Sequence, residues 1–166
     1  MNVKLIAIAA LGKNRQIGLK GKLPWNIPEE YDQFLKTIEA QYVLIGRKNF
    51  ASHKGDVEGA YPLVLSRNPN FSSPNAIVFR NLLDVLTYAQ DAEIEKIFVI
   101  GGEEIYKLTL PYLNEFIWSE IDYDGEADSF FPDFSNYDWN EITKKKYSKW
   151  TLRHLIKKPA KVEAYL

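Results

Sequence analysis

Apolar residues recur along this chain in runs the length of a β-strand, at residues 4–10, 41–46, 61–66, 76–79, 96–101 and 115–121. Several runs are rich in Val and Ile and almost uninterrupted, where a half-exposed strand would alternate apolar with polar positions. Uninterrupted runs predict strands buried on both faces, as in a sheet covered by helices on both sides. The stretches between them have helical character, at residues 28–39, 81–90 and 103–108. In the second, Leu82, Leu83, Val85, Leu86 and Ala89 repeat at near-helical intervals, and Asn81 is placed to cap the first turn. Strand–helix–strand alternation needs crossover connections, hence an α/β sheet. Beyond Asp122 the rhythm changes. Charged and aromatic residues alternate through 139–150 and again in the last residues, which predicts an antiparallel β addition. Lys144, Lys145 and Lys146 read as a solvated strand edge or turn of that addition and not as a binding patch.

Composition removes several function classes. The 166 residues are 46% hydrophobic and 26% charged, the balance of one ordinary globular domain. Lys and Arg number 21 against 22 Asp and Glu, so the formal charge is −1 and no net positive field is available for nucleic acid or an anionic membrane. The absence of Cys excludes disulfide scaffolds, thiol catalysis and Cys-based zinc sites, and the two His are far apart in sequence, so no metal site is expected. No apolar run approaches the roughly 20 residues that cross a bilayer. The opening MNVKLIAIAALGKN has one Lys and a short apolar run without a following A-x-A pattern, so it reads as a strand and not a signal peptide. A cytoplasmic chain is the expectation.

The most informative stretch is GKLPWNIPEEYDQFLKTIE. Pro24 and Pro28 bracket Trp25, and Pro28 suits the first position of a helix whose first turn holds Glu29 and Glu30, where the helix dipole favours carboxylates. Projected on a helix, Glu29, Asp32, Gln33 and Lys36 share a polar face, while Tyr31, Phe34, Leu35 and Ile38 make the apolar stripe. Glu30 stacks with Phe34 and Ile38 at i+4 and i+8, at the edge of that stripe. Two readings stand. Glu30 complements the dipole from a boundary position; or it is a carboxylate in an apolar cleft, which must find hydrogen-bond donors or take up a proton. With no Arg nearby in sequence, a flat heterocycle offering an amino group beside a ring N–H is a fitting donor.

Three loops extend this picture. The strand 96–100 runs into Gly101–Gly102 before a helix, a turn that permits close backbone approach to an anionic ligand, although turn geometry alone also accounts for it. Arg47–Lys48 and Ser66–Arg67 follow two other strands. Ligands of open α/β sheets bind beyond the carboxyl ends of strands, where this charge would suit a polyphosphate; a solvated loop is the other reading of each pair.

Taken in order, LIAIAALGKNRQIG, LPWNIPEEYDQF, VLIGRKN, LVLSR, VIGGEEIY and EIDYDGEADSFFPDF resemble the dihydrofolate reductase family over about residues 5–134. The resemblance implies a single domain over residues 1–166, with a mostly parallel central sheet, C-terminal antiparallel strands and helices on both faces. It implies that Glu30 is the active-site carboxylate that binds the pterin amino group and N3, with Ser119 as its hydroxyl partner. Leu23 and Trp25 would belong to a mobile loop over the nicotinamide, the lid of residues 12–27, with Trp25 holding a water near the pterin. Ile8, Ala9, Phe34, Ile100 and Tyr106 would line the pterin and nicotinamide pocket, Tyr106 as one of the catalytic set. Ala10, Ile17 and Gly18 would serve the nicotinamide side. Gly46, Arg47, Lys48, Asn49, Ser66 and Arg67 would receive the adenosine 2′-phosphate end, making the cofactor NADPH. Gly101 and Gly102, joined by a cis peptide in the family, would open the turn for Glu103, Glu104 and Ile105 to face the pyrophosphate.

The implied reaction is hydride transfer from nicotinamide C4 to pterin C6 of dihydrofolate with protonation at N5, by a monomer. Two residues depart from the family pattern. Asn49 stands where Thr is usual. Ala60 stands where an Arg clamps the α-carboxylate of the folate glutamate, a charge-assisted contact worth about 1.5–3 kcal/mol. Lys54 or His53 would have to compensate, and a Lys point charge does not reproduce an Arg fork. Ala60 motivates an alternative, a reductase of dihydropterins lacking the glutamate tail; a non-catalytic pterin binder is a third reading, opposed by Glu30, Trp25 and Gly101–Gly102 occurring together.

Overall fold

The computed structural model describes residues 3–53 and 55–159. Eight strands form one sheet in the order β5-β4-β3-β6-β1-β7-β10-β9. They are β1 (Lys4–Leu11), β3 (Tyr42–Gly46), β4 (Tyr61–Leu65), β5 (Ile77–Phe79), β6 (Lys96–Gly101), β7 (Glu115–Ile121), β9 (Trp139–Lys146) and β10 (Trp150–Lys157), while β2 (Gln16–Gly18) and β8 (Ser129–Phe130) pair separately. The strands from β5 to β7 are mutually parallel, and β10 and β9 are antiparallel additions at one edge. Among the described residues there are four α-helices, α1 (Pro28–Ile38), α2 (Arg47–Ser52), α3 (Leu82–Asp91) and α4 (Glu103–Thr109), the last followed by a 3-10 turn at Leu110–Tyr112.

The uninterrupted apolar runs are explained by two cores, one on each side of the sheet. Leu5, Ala7 and Leu11 of β1 pack with Val99, Phe116 and the buried faces of α3 and α4. Ile6 and Ile8, the alternate positions, pack with Val43, Ile45, Phe98, Ile38 of α1 and Phe50 of α2. Strand β1 thus spends both of its faces on burial, worth about 1.5–3 kcal/mol for each large aliphatic side chain. The first core is closed by an aromatic group in which Phe116 and Phe131 stack with centroids 4.7 Å apart and Phe134 meets both edge-on. The mostly parallel sheet, the antiparallel C-terminal strands and the helices on both faces agree with the expectation from sequence.

Local signals act where they were expected. Pro28 opens α1 with Glu29 and Glu30 in its first turn, and the Asn81 side chain accepts from the Asp84 N–H at 2.8 Å to cap α3. Lys144, Lys145 and Lys146 lie on the exposed edge strand β9. Three features differ. Arg47 and Lys48 do not form a turn after β3 but begin α2, a helix of under two turns that shows too few periods to be read from sequence. The short β2–β8 pair carries no periodicity at all. Trp150 starts β10 and does not close the preceding strand, since residues 147–149 are the hairpin turn. Among the described residues, no helix is long and apolar enough to cross a membrane.

Candidate active site

The carboxyl ends of the three neighbouring strands β3, β6 and β1 bring Ile45, Ile100 and Ile8–Ala9–Ala10 to the floor of a cleft of about 420 Å³. Helix α1 supplies Glu30, Tyr31 and Phe34 along one wall, and α2 supplies Lys48, Asn49 and Ser52 opposite. The segment between β1 and α1 adds Ile17, Gly18 and Leu23, and the α4 end adds Gly102, Glu103 and Tyr106. This is the position that parallel α/β sheets offer to ligands.

Glu30 is the carboxylate that α1 brings to this cleft and is 6% exposed. The Ser119 hydroxyl donates to its Oε2 at 2.9 Å, from a strand whose register sets Ser119 beside Ala10. The second oxygen receives no donor from the described residues. Burial raises the Glu30 pKa above its ordinary 4.5, and the Ser119 hydrogen bond opposes that rise. An acid whose pKa is higher folded than unfolded binds protons more tightly in the native state, so its ionisation destabilises the fold. Stability lost this way accumulates as pH rises from the unfolded value through the raised one. Urea unfolding of the apo protein and of Glu30→Gln across acidic to neutral pH should therefore show the variant gaining relative stability as pH rises. A constant difference across that range would mean that the carboxylate is not desolvated.

Tyr106 fixes the geometry behind the site. Its hydroxyl donates to the Ile8 carbonyl at 2.8 Å, tying α4 to β1, and its ring packs on Phe131 at 4.7 Å. Burial, and secondarily the Glu30 charge, push its pKa upward, so it stays neutral and serves as a donor. The Gly101–Gly102 peptide is cis. Bare backbone lets other groups close in: a Cβ on Gly102 would fall 2.9 Å from Asn49 Nδ2, and one on Gly46 3.1 Å from Ile105 Cγ1. Glu103 Oε1 accepts from the Phe130 N–H at 2.6 Å, and Asp128 accepts from the Lys20 N–H at 2.9 Å while its own N–H reaches the Gly18 carbonyl at 3.0 Å. These bonds join the 12–27 loop and the α4 start to β8.

Not every residue expected at the site lines the cleft. Trp25 stands beside it, edge-on to Tyr123 at 5.4 Å, with its Nε1 buried and unpartnered among the described residues. Ser119 and Gly101 lie behind the lining, and Gly46, Arg47 and Ile105 sit next to it at the α2 and α4 starts. Ser66 is buried, its hydroxyl accepting from the Asn68 N–H at 3.1 Å. Arg67 and Glu104 are exposed and pair at 3.3 Å. Sequence reasoning did not single out Tyr31, Asp56, Val57 or Asp128 as cleft residues; Tyr31 shows only as part of the apolar stripe of α1, and the segments that hold the other three have no periodicity to reveal them. His53 also lines the cleft, Lys54 lies outside the described residues, and Ala60 is a buried member of the second core.

A family model described as dihydrofolate reductase matches residues 4–156. Dihydrofolate reductase type A13 of Escherichia coli is 35% identical over 131 residues, which cover 79% of this chain and 79% of the relative. The dihydrofolate reductase of Buchnera aphidicola is 31% identical over 154 residues, covering 90% and 91%. A solved structure of dihydrofolate reductase from Enterococcus faecalis, complexed with NADP(H) and RAB-propyl, superposes with a TM-score of 0.81 at 24% identity over 94% of this chain and 97% of that one, a likeness of fold.

Proposed function

This chain belongs to the dihydrofolate reductase family, and on that premise we propose that it reduces 7,8-dihydrofolate to 5,6,7,8-tetrahydrofolate with NADPH, using the residues of the cleft just described. The observation that carries the residue assignment is Glu30, a buried carboxylate held from behind by Ser119 with one oxygen left for a ligand in the cleft. A pterin presents an amino group beside N3–H, a donor pair that matches two carboxylate oxygens and compensates the cost of burying their charge. Phe34 and the Ile8–Ala10 edge of β1 supply apolar surface for the flat ring.

The cofactor fits the other half of the cleft. Gly18 and Gly102 line it with bare backbone, the space a Cβ of Gly102 would need is already filled by Asn49, and Lys48 on the wall with Arg47 beside it provides cationic charge. When bound, the nicotinamide supplies the hydride that reaches pterin C6. Glu30 would orient and polarise a bound pterin; Tyr106 holds the carboxyl end of β1 at the cleft floor; the 12–27 loop, tied to Asp128, would exclude bulk water. The N5 proton comes from water, so hydride plus proton completes the reduction. Loss of near-ultraviolet NADPH absorbance on adding dihydrofolate tests the reaction, and no loss would overturn it. The chain is proposed to work as one domain, a monomer in the cytoplasm.

Arg67 is assigned to the 2′-phosphate, although Glu104 competes for its guanidinium. Arg67→Ala should raise the dissociation constant for NADPH roughly fivefold, a modest effect because the site is exposed and screened, and leave that for NADH nearly unchanged. Fluorescence titration of both cofactors checks this, and equal weakening of the two would refute the assignment.

A further inference from the structure

Helix α4 begins with a carboxylate that touches two parts of the site. Glu103 lines the cleft directly after Gly102, and its Oε1 accepts from the Phe130 N–H of β8 at 2.6 Å. Its other oxygen lies 3.5 Å from Lys107 Nζ, one turn along the same helix. Strand β8 pairs with β2, which lies inside the 12–27 loop. The amides on either side of this segment face that loop: the Asp128 N–H donates to the Gly18 carbonyl at 3.0 Å, and the Phe131 N–H to the Arg15 carbonyl at 2.8 Å. The Lys20 N–H returns to Asp128 Oδ2 at 2.9 Å. The Phe130 N–H leaves the pair in the other direction, as alternation along a strand requires, and Glu103 receives it.

A two-stranded pair is marginally stable by itself and takes its position from what it packs against. Helix α4 holds this one at two points. The Tyr106 ring packs on Phe131 at 4.7 Å inside the aromatic core, and Glu103 takes the Phe130 N–H beside the cleft. We propose that Glu103 is a positioning residue for hydride transfer: by accepting the Phe130 N–H it fixes the β2–β8 pair, and with it the 12–27 loop, against the cofactor half of the cleft. The role belongs to the acceptor oxygen and not to the charge, since a carboxylate at the α4 start repels a nearby pyrophosphate and makes a poor ligand for it. The inference rests on the reductase reading above and adds one residue to it.

The test compares two variants of the full chain. Glu103→Ala removes both charge and acceptor; Glu103→Gln removes the charge alone, because its amide oxygen still accepts. Any change in NADPH affinity that comes from charge is common to both, so the difference between them reports the hydrogen bond. Amide hydrogen exchange is measured on the apo protein, and single-turnover hydride transfer at saturating NADPH and dihydrofolate. In Glu103→Ala the Lys20 and Asp128 amides, whose acceptors lie elsewhere, should exchange roughly five- to tenfold faster, the size of one hydrogen bond to a charged group. Hydride transfer should slow by a similar factor, with KM for dihydrofolate changed by less than about twofold. Glu103→Gln should recover most of both, and the amides of β6 should keep their protection in either variant. Faster exchange confined to Phe130 or shared equally by β6, a hydride-transfer rate that does not follow the exchange, or a Gln variant as impaired as the Ala one would overturn the inference while leaving the reductase reading intact. A natural chain that oxidises no NADPH with dihydrofolate would overturn the reductase reading itself, and the role in hydride transfer with it.

Discussion

Replacing Glu30 with alanine is expected to lower turnover of dihydrofolate by two to three orders of magnitude while changing NADPH affinity by less than about twofold. The substitution removes both acceptors for the pterin amino edge and leaves the Ser119 hydroxyl facing the gap. The ring then has apolar contacts from Phe34 and the β1 edge but no group that fixes its rotation in the cleft, and misorientation of a hydride acceptor is costly. Loss of a charge-assisted pair at a buried site corresponds to about 3–4 kcal/mol in the transition state. The cofactor half is built from other elements: Gly18 and Ile17 after β1, Lys48 and Asn49 of α2, Gly102 at the α4 start. Steady-state kinetics and NADPH fluorescence titration separate the two effects. Equal losses of turnover and cofactor affinity would remove Glu30 from the pterin side.

Gly101→Ala is expected to cost about 2–4 kcal/mol of stability, read as a lowered urea midpoint with an unchanged slope. Two effects combine. The residue has φ +109°, where an L side chain is strained, and its Cβ would lie 2.9 Å from Tyr106 Cε2. Tyr106 cannot swing aside at low cost, because its hydroxyl is bonded to the Ile8 carbonyl and its ring packs on Phe131. The clash therefore reaches β1 and the aromatic core. Gly21 provides the contrast: its φ is +78°, yet nothing lies within 4 Å of an added Cβ, so Gly21→Ala should lose only about 1 kcal/mol. Similar losses at both positions would mean that backbone strain alone, and not the Tyr106 contact, governs Gly101.

The sheet was legible because its strands are buried on both faces. Residues such as Leu5 and Ile6 feed opposite cores, and that leaves a continuous apolar run in the sequence. Glu30 was legible for a related reason, since its register with Phe34 and Ile38 marks it as facing inward, and burial agrees. Periodicity could not supply the donor behind it. Ser119 is one hydroxyl in an apolar strand, and only the resemblance to a family pointed to it. Helix α2 escaped because six residues beginning Arg-Lys-Asn bury Phe50 alone. Asp56 lies in a connector without regular structure, where the turn from residue 53 onward, and not side-chain spacing, decides what reaches the cleft.

The most direct measurement is a crystal structure of the protein with folate and NADP+ bound. The pterin amino group and N3–H should each lie within hydrogen-bond distance of the Glu30 carboxylate, with the ring beside Phe34 and the nicotinamide against Ala10 and Gly18. A pterin seated with its amino edge turned away from Glu30, or bound outside this cleft, would contradict the account.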